Sequence, residues 1–420
     1  MHSYPGVNTR LLADTERAIR SSETETPLVL EASGRRDLAY LHSVLTEHAQ
    51  QVIGDAAQHG AVLLRGFEVG TDQDFESTVL ALRGMRGIAN VFMSEGGRTL
   101  VNGLRFVMHT NSIYTTGGSF DMGAFHTENY FVPDVPRFIF FFCRKPSMSG
   151  GETGLVNTAK VFAALPNRVK ERLRQRSFLA NALPVGEIAA RYGIDVQTVE
   201  AIARESGFAI DEHAGSRFMM VYKPPVLMHS LTDEPALDIH FYGCLMGLGL
   251  SPAIRDAFWG DYAGAKWALH RLLWRYPPLT YLVPSLALLR APRVVIRNYT
   301  RAIRERIRAR LNLTTKESGP PCTPVSAAFD QADVQLVAQS MRQHFASFRW
   351  QSGDVLMVDN TKMAHAGMPG FGPRLLRAMI CNPVSIPFLP DAAGAWRVPI
   401  TDVAETLGER FSRPNHLHQI

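Results

Sequence analysis

The sequence has few cysteines, and they are widely scattered. Its 420 residues include four: Cys143, Cys244, Cys322 and Cys381. No two of them form a C-x-x-C pair, and this spacing excludes both a structural zinc ribbon and a small disulfide-bonded framework. Isolated thiols in a chain of this length are typical of a reducing compartment, so we expect a cytoplasmic protein.

The sequence also lacks a long uninterrupted apolar run. Its most apolar stretch, Pro277–Ile296, contains several prolines and arginines. A membrane-spanning helix needs about 20 mostly apolar residues, so none is expected. The first residues lack the basic start and apolar segment of a signal peptide. We therefore predict a soluble protein with no membrane partner.

Positive charge is most concentrated in one segment. The chain has 44 Lys and Arg against 39 Asp and Glu, a formal net charge of +5. Within Arg290–Arg310 there are eight arginines and one acid, and four of the arginines share a helical face. That face is either a docking surface for an acidic partner, such as a carrier protein bearing a tethered substrate, or a solvated surface. Aromatic residues do not alternate with the arginines, so nucleic acid is not expected as a partner.

Periodicity and turn residues predict a mainly β protein with flanking helices. Strands are predicted at AVLLRGF (61–67), RFIFFFC (137–143), GDVLMVD (353–359) and RLLRAMIC (374–381). Helices are predicted over 37–58, 72–83, 158–176 and 333–348, with two short ones in 186–206. The polar first forty residues are expected to form a loose arm. We predict one domain over 1–420, with a core of about 37–385 and a helical insertion at about 250–322.

The segment FHTEN carries the first chemical signal. His126 and Glu128 are two residues apart, so on an extended strand their side chains project from the same face. An imidazole beside a carboxylate supplies two ligands of a 2-His-1-carboxylate triad, which suits Fe(II) and leaves coordination positions open. A lone H-x-E is frequent by chance, and its simplest interpretation is a structural histidine next to a loop acid.

A second segment, far along the chain, supplies the remaining groups. GDVLMVDNTKMAH predicts a strand that leads to His365, the candidate third ligand. Arg374 and Arg377 follow at the start of the next strand. A guanidinium binds a carboxylate in two-pronged fashion, as a dicarboxylate co-substrate chelating the iron requires at its far end. Surface charge at a strand start is the simpler interpretation of the two arginines.

Together these segments resemble the TauD/TfdA family of iron(II)- and 2-oxoglutarate-dependent oxygenases. The resemblance lies in GAVLLRGF, FHTENYF, the GGET turn at 150–153, GDVLMVDN and the stretch from His365 to Arg374. The order of the motifs matches from about residue 60 to 382. A Glu at the carboxylate position resembles the clavaminate synthase-like branch, and PPVLMHSLTDEP (224–235) resembles a segment of relatives that act on amino acids. The implied fold is a double-stranded β-helix, or jelly roll.

The resemblance implies roles for individual residues. His126, Glu128 and His365 match the iron ligands, and Thr153 matches the hydroxyl that binds 2-oxoglutarate. Arg374 or Arg377 matches the arginine that pairs with the distal carboxylate of 2-oxoglutarate. These two lie three apart, and so on opposite sides of a regular strand; we prefer Arg374, which directly follows a Gly-Pro turn.

The implied function is a dioxygenase that uses Fe(II), 2-oxoglutarate and O2 and releases succinate and CO2. Its expected substrate is a small, amino-acid-like metabolite of specialised biosynthesis, free or carrier-tethered. Family halogenases have Gly or Ala at the carboxylate position, so Glu128 favours hydroxylation, desaturation or a related oxidation. The alternatives are a zinc hydrolase with the same three ligands and a non-catalytic cupin-like binding protein. The sequence makes no prediction of oligomeric state.

Further residues have two interpretations each. A set of apolar and aromatic residues in the insertion either lines a substrate pocket or packs in the core: Trp267, Leu272, Leu273, Trp274, Tyr276, Leu279 and Tyr281. The remaining conspicuous histidines are expected to be structural or exposed: His109, His213, His229 and His240.

Overall fold

Strands dominate the architecture. The computed structural model describes residues 1–89, 100–110, 125–128, 134–174, 178–238, 249–276, 330–385 and 397–413. The strands in these ranges are β1 (Val7–Leu11), β2 (Leu28–Ala32), β3 (Ala61–Arg65), β4 (Met108–His109), β5 (Asp134–Lys145), β6 (Ser149–Gly150), β7 (Thr153–Asn157), β8 (Phe178–Pro184), β9 (Ala209–His213), β10 (Ser216–Lys223), β11 (Val226–Met228), β12 (Pro235–Leu237), β13 (Phe345–Ser347), β14 (Val355–Asp359), β15 (Met363–Gly367), β16 (Gly370–Phe371), β17 (Leu375–Ser385), β18 (Arg397–Pro399) and β19 (Thr401–Asp402).

Helices flank the strands. They are α1 (Leu38–Glu47), α2 (Ala49–His59), α3 (Asp72–Ala81), α4 (Thr158–Ala164), α5 (Asn167–Arg174), α6 (Val185–Tyr192), α7 (Val196–Glu205), α8 (Leu250–Phe258), α9 (Ala268–Arg275), α10 (Gln331–Gln343) and α11 (Leu407–Ser412). Thr71 caps α3 by accepting a hydrogen bond from the backbone N–H of Asp74, and Gly60 ends α2 in the left-handed conformation, with φ of 75°.

Two sheets form the double-stranded β-helix. The large sheet has the order β1-β2-β3-β14-β5-β17-β19, with β4 also paired to β17, and the small sheet has the order β13-β7-β15. Alternate residues of β5 point to opposite faces of the large sheet. Ile139 and Phe141 pack toward Leu155 of the small sheet, whereas Phe140 and Phe142 pack against the helices. The space between the two sheets is called the interior below.

Helices cover the outer face of each sheet. On the large sheet, α1–α3 bury Phe75 against Phe142, with ring centroids 5.3 Å apart. On the small sheet, Val156 and Phe345 pack against apolar residues of α4, α5, α8 and α10. Both sheets are therefore buried on two faces, which explains why their strands are nearly continuous apolar runs.

The expectation of a loose N-terminal arm is wrong. β1 and β2 belong to the large sheet, where β2 pairs with β3 in parallel, and Leu28, Val29 and Leu30 are buried. The core therefore begins before residue 37. Polar flanking residues hide this short apolar stretch in the sequence, and its stability comes from pairing with a strand about thirty residues away.

Three predicted helices are shorter or divided. The helix predicted over 37–58 is interrupted at His48, and the one over 158–176 is interrupted before Asn167, where Pro166 lies. The helix predicted over 333–348 ends at Gln343, because Phe345–Ser347 joins the small sheet. In the predicted insertion, α8 and α9 are helical; residues 277–322, including the arginine-rich segment, lie outside the described residues.

Candidate metal centre

Three candidate metal-ligating side chains meet in the interior. One donor atom from each of His126, Glu128 and His365 lies within 4.8 Å of the others. Within the part of the chain that the structure describes, no second group of three such side chains occurs. Two imidazoles and one carboxylate are the donor set that suits Fe(II), so these residues fit the ion implied by the sequence.

Backbone pairing holds the two histidines together. His365 lies in β15, and the N–H of His126 donates to its carbonyl at 3.0 Å. In return, the N–H of His365 donates to the carbonyl of His126 at 2.8 Å. This reciprocal pair brings the imidazole centroids to 4.5 Å, although the residues are far apart in the sequence.

Glu128 reaches the cluster from a turn instead of the expected strand. His126 forms an isolated bridge, and the backbone turns at Glu128. Its Oε2 atom lies 3.9 Å from His365 Nε2, and the residue is buried. Asn360 holds the backbone of Glu128, since Asn360 Oδ1 accepts from the Glu128 N–H at 2.7 Å. The two-residue spacing correctly predicts that His126 and Glu128 lie close together, but Glu128 is held there by a side chain from the turn after β14.

The surroundings of the cluster are apolar. Phe141 lies edge-on to His365 with centroids 5.2 Å apart, and Leu155 is its cross-strand neighbour. Both residues are fully or almost fully buried. Removal of water strengthens electrostatic interactions, so an ion held here interacts strongly with the carboxylate of Glu128.

Thr153 lies in the strand next to His365. It begins β7 and pairs with Gly367, two residues beyond His365 along β15. Its side chain is buried, and Trp350 Nε1 donates to its Oγ1 at 3.3 Å. The hydroxyl is therefore fixed in the same small sheet that carries His365.

Arg374 is buried beside the glycine turn. It donates through Nη1 to the carbonyls of Gly151 and Glu152, the latter at 3.3 Å. Gly150 and Gly151 have φ of 68° and 69°, and a Cβ on Gly151 would lie 2.2 Å from Ser147 Oγ. The turn therefore requires glycine, and it places the guanidinium next to the residue that precedes Thr153.

Arg377 lies on the other side of the large sheet. Its Nε donates to Asp72 Oδ2 at 3.0 Å, at the start of α3. A bulge between Leu375 and Leu376 separates the two arginines. Both were candidate partners of the co-substrate, and the structure brings only Arg374 to the side of Thr153. The reason is that Arg377 faces the helices, where an acidic group pairs with it.

The sequence interpretation missed Glu152, the residue before Thr153. Burial raises the pKa of its carboxyl to about 7, against the opposing effects of its own backbone hydrogen bond and of Arg374, Arg349 and Lys266. Glu152 lines a cavity of about 480 Å³ together with Tyr262 and Trp267. It could have been noticed from its place in the GGET turn, but its burial depends on tertiary packing.

The aromatic residues of the insertion pack where they are described. Trp267, Leu273 and Trp274 are buried, and both tryptophans belong to the core on the outer face of the small sheet. Leu272 and Tyr276 are exposed. Leu279 and Tyr281 lie outside the described residues. In the described part, the two tryptophans therefore pack on the side of the small sheet that faces away from the interior, and Trp267 also lines the cavity beside Glu152.

Comparison with known proteins identifies the family. The family model described as "Taurine catabolism dioxygenase TauD, TfdA family" matches residues 22–187, which include His126, Glu128 and Thr153. Over these residues the chain matches the TauD/TfdA family. It is accordingly an iron(II)- and 2-oxoglutarate-dependent dioxygenase, and its cofactors are Fe(II), 2-oxoglutarate and O2.

Individual relatives are distant. The dapdiamide synthesis protein DdaC of Enterobacter agglomerans is 21% identical over 332 residues, which span 78% of this chain and 84% of DdaC. Among solved structures, PvcB from Pseudomonas aeruginosa is 14% identical with a TM-score of 0.44, covering 91% of this chain and 93% of PvcB. A taurine dioxygenase from Burkholderia xenovorans is 12% identical with a TM-score of 0.46, covering 98% and 100%. Both structures superpose only loosely on this chain.

In the described ranges, no helix is both long enough and apolar enough to cross a membrane.

Proposed function

We propose that His126, Glu128 and His365 hold the Fe(II) ion, and that Thr153 and Arg374 bind 2-oxoglutarate. The observation that carries this proposal is the convergence of the three donor atoms within 4.8 Å. Thr153 and Arg374 support it, because both are buried beside the same small sheet. Arg377 is not part of the proposed site.

The iron bound here supplies oxidative decarboxylation of 2-oxoglutarate to succinate and CO2, coupled to oxidation of a substrate C–H bond. The residues of the chain have separate tasks. The two imidazoles and the carboxylate fix the ion on one side, which leaves the other side open to ligands. Arg374 orients the distal carboxylate of the co-substrate, and the hydroxyl of Thr153 adds a hydrogen bond. Phe141 and Leu155 exclude water.

We propose a small, amino-acid-like metabolite of specialised biosynthesis as the substrate, and hydroxylation, desaturation or a related oxidation as the reaction. The name of DdaC, a dapdiamide synthesis protein, supports a biosynthetic role. Glu128 supports oxidation without halogenation, since a carboxylate fills the position that halogenases leave open. Docking of a substrate-bearing carrier protein on Arg290–Arg310 stays a prediction.

Anaerobic titration with Fe(II) and 2-oxoglutarate tests the proposal. The wild-type chain should develop the weak visible charge-transfer band of the iron–keto acid chelate. H126A and E128A should abolish it, because each removes a ligand, whereas H109A should retain it, since His109 lies outside the cluster. An unchanged band in both ligand variants would contradict the assignment. Oxygen consumption and succinate release under the same conditions then report turnover.

A further inference from the structure

The polar turn between β14 and β15 contacts the candidate metal centre through one residue. Asn360 is almost fully buried, and its side-chain amide uses both its acceptor and its donors. Oδ1 accepts from the N–H of Glu128 at 2.7 Å, and Nδ2 donates to the carbonyls of Glu128 at 3.2 Å and Pro136 at 2.7 Å. The amide therefore binds both backbone groups of Glu128 and connects them to the start of β5.

The residue before Asn360 is held by a buried pair. His229 Nε2 and Asp359 Oδ2 are 2.8 Å apart, and both side chains are 1% exposed. His229 Nδ1 lies 3.2 Å from the N–H of Thr232, which donates to it, so the ring proton is assigned to Nε2 and points at Asp359. The other carboxylate oxygen, Oδ1, accepts from the N–H and hydroxyl of Thr361. Asp359 is thus fixed from two sides.

The last residue of the turn is held by the same segment. Lys362 is buried and donates to Glu234 and, at 3.0 Å, to the carbonyl of Ala57. His229, Thr232 and Glu234 all belong to PPVLMHSLTDEP, the 224–235 segment singled out in the sequence. None of them belongs to the group of three donors.

We propose that Asn360 is a positioning residue for Glu128, and that the His229–Asp359 pair from the 224–235 segment fixes the turn that presents it. The inference rests on the proposed iron site. Since Glu128 sits in a turn and not in a strand ladder, its backbone needs the amide of Asn360 to hold the carboxylate toward the two histidines. Neighbouring groups that orient a metal ligand typically contribute 10- to 100-fold to metal affinity.

The test compares Asn360 with a buried asparagine elsewhere. Asn157 is equally buried, and its Oδ1 accepts from the N–H groups of Ala159 and Lys160, both at 3.1 Å, to cap α4. Fe(II) affinity, the charge-transfer band with 2-oxoglutarate and the thermal midpoint are measured for wild type, N360A, N360D and N157A. N360A should weaken Fe(II) binding by about 10- to 100-fold and diminish or shift the band. N157A should lower the midpoint with the affinity and the band unchanged.

N360D provides a second test of the role of Asn360 in case N360A does not fold. Its carboxylate still accepts from the N–H of Glu128 but cannot donate to the two carbonyls, so its Fe(II) affinity should lie between those of wild type and N360A. A wild-type band that the Asn360 variants leave unchanged overturns this inference alone. Absence of the band from the wild-type chain overturns the proposed function and this inference together.

The role of the His229–Asp359 pair is tested separately, through the Fe(II) affinity of two His229 variants. H229A should weaken Fe(II) binding less than N360A does, because it acts through Asp359. H229Q should recover most of the loss, since its amide can donate to Asp359 and so replace the imidazole. Equal affinity of H229A and wild type overturns the role assigned to His229.

Discussion

The two faces of the large sheet contain buried arginines with different partners. On the outer face, toward α1–α3, Arg377 donates to the carboxylate of Asp72 at 3.0 Å. On the side of Thr153, Arg374 donates to the backbone carbonyls of Gly151 and Glu152. The arginines are three residues apart, and a bulge lies between them.

From these different partners we infer separate roles: Arg377 stabilises the fold, and Arg374 binds the co-substrate. A carboxylate balances the charge of a buried guanidinium. Such a pair mainly offsets the free-energy cost of burying both charges in the core. Arg374 is instead oriented by backbone carbonyls next to Thr153. A planar guanidinium in this position suits a two-pronged contact with a carboxylate, and we propose on this basis that Arg374 binds the distal carboxylate of 2-oxoglutarate.

Replacement of Arg374 should have the largest effect. Loss of a two-pronged, charge-assisted contact costs about 4 kcal/mol, which corresponds to a rise of roughly 1000-fold in the KM for 2-oxoglutarate in R374A. R374K should be intermediate, since it keeps the charge without the planar geometry. The measurement is succinate release against 2-oxoglutarate concentration, with thermal unfolding as a control for folding. A KM near the wild-type value in R374A would contradict the proposal that Arg374 binds 2-oxoglutarate.

Replacement of Arg377 should affect stability instead. R377A removes the hydrogen bond to the buried Asp72 carboxylate at 3.0 Å and leaves Arg144, 3.5 Å away, as its cationic neighbour, so it should lower the unfolding free energy by about 2 kcal/mol. The KM for 2-oxoglutarate should not change. The matched control is R35A, which removes the exposed Arg35–Asp37 pair and should leave the urea midpoint unchanged. A large rise in KM with unaltered stability would reverse the roles of the two arginines.

The carboxyl beside Arg374 should make stability depend on pH. Burial raises the pKa of Glu152 from 4.5 to about 7, so between these values the folded state keeps a proton that the unfolded state releases. The contribution of Glu152 to the free energy of unfolding therefore falls as the pH rises from 4.5 to about 7. E152Q removes the effect, so its stability relative to wild type should rise by about 3 kcal/mol between pH 4.5 and pH 8. Urea unfolding at both pH values measures this gain, and parallel pH profiles would contradict the raised pKa.

The sequence predicted which side chains cluster and missed what holds them. His126, Glu128 and His365 were identified because imidazole and carboxylate groups in this order carry a chemical signal. Asn360 was not, although it lies in the quoted GDVLMVDN, because its partner Glu128 is 232 positions away and the contact appears only in three dimensions.

The fold was predicted from its most apolar strands. β5, β14 and β17 are continuous apolar runs and were found; β1 and β2 were missed because polar residues interrupt or flank them and because they depend on pairing with neighbours. The preference for Arg374 over Arg377 followed from its place directly after the Gly-Pro turn, and strand alternation separated the two; the bulge at Leu375 and Leu376 could not be predicted from the sequence.

An anaerobic crystal structure with Fe(II) and 2-oxoglutarate tests the central claim most directly. The account predicts one iron ion bound by His126, Glu128 and His365, and the far carboxylate of 2-oxoglutarate on Arg374. Iron bound elsewhere, or the far carboxylate bound to Arg377, would contradict it.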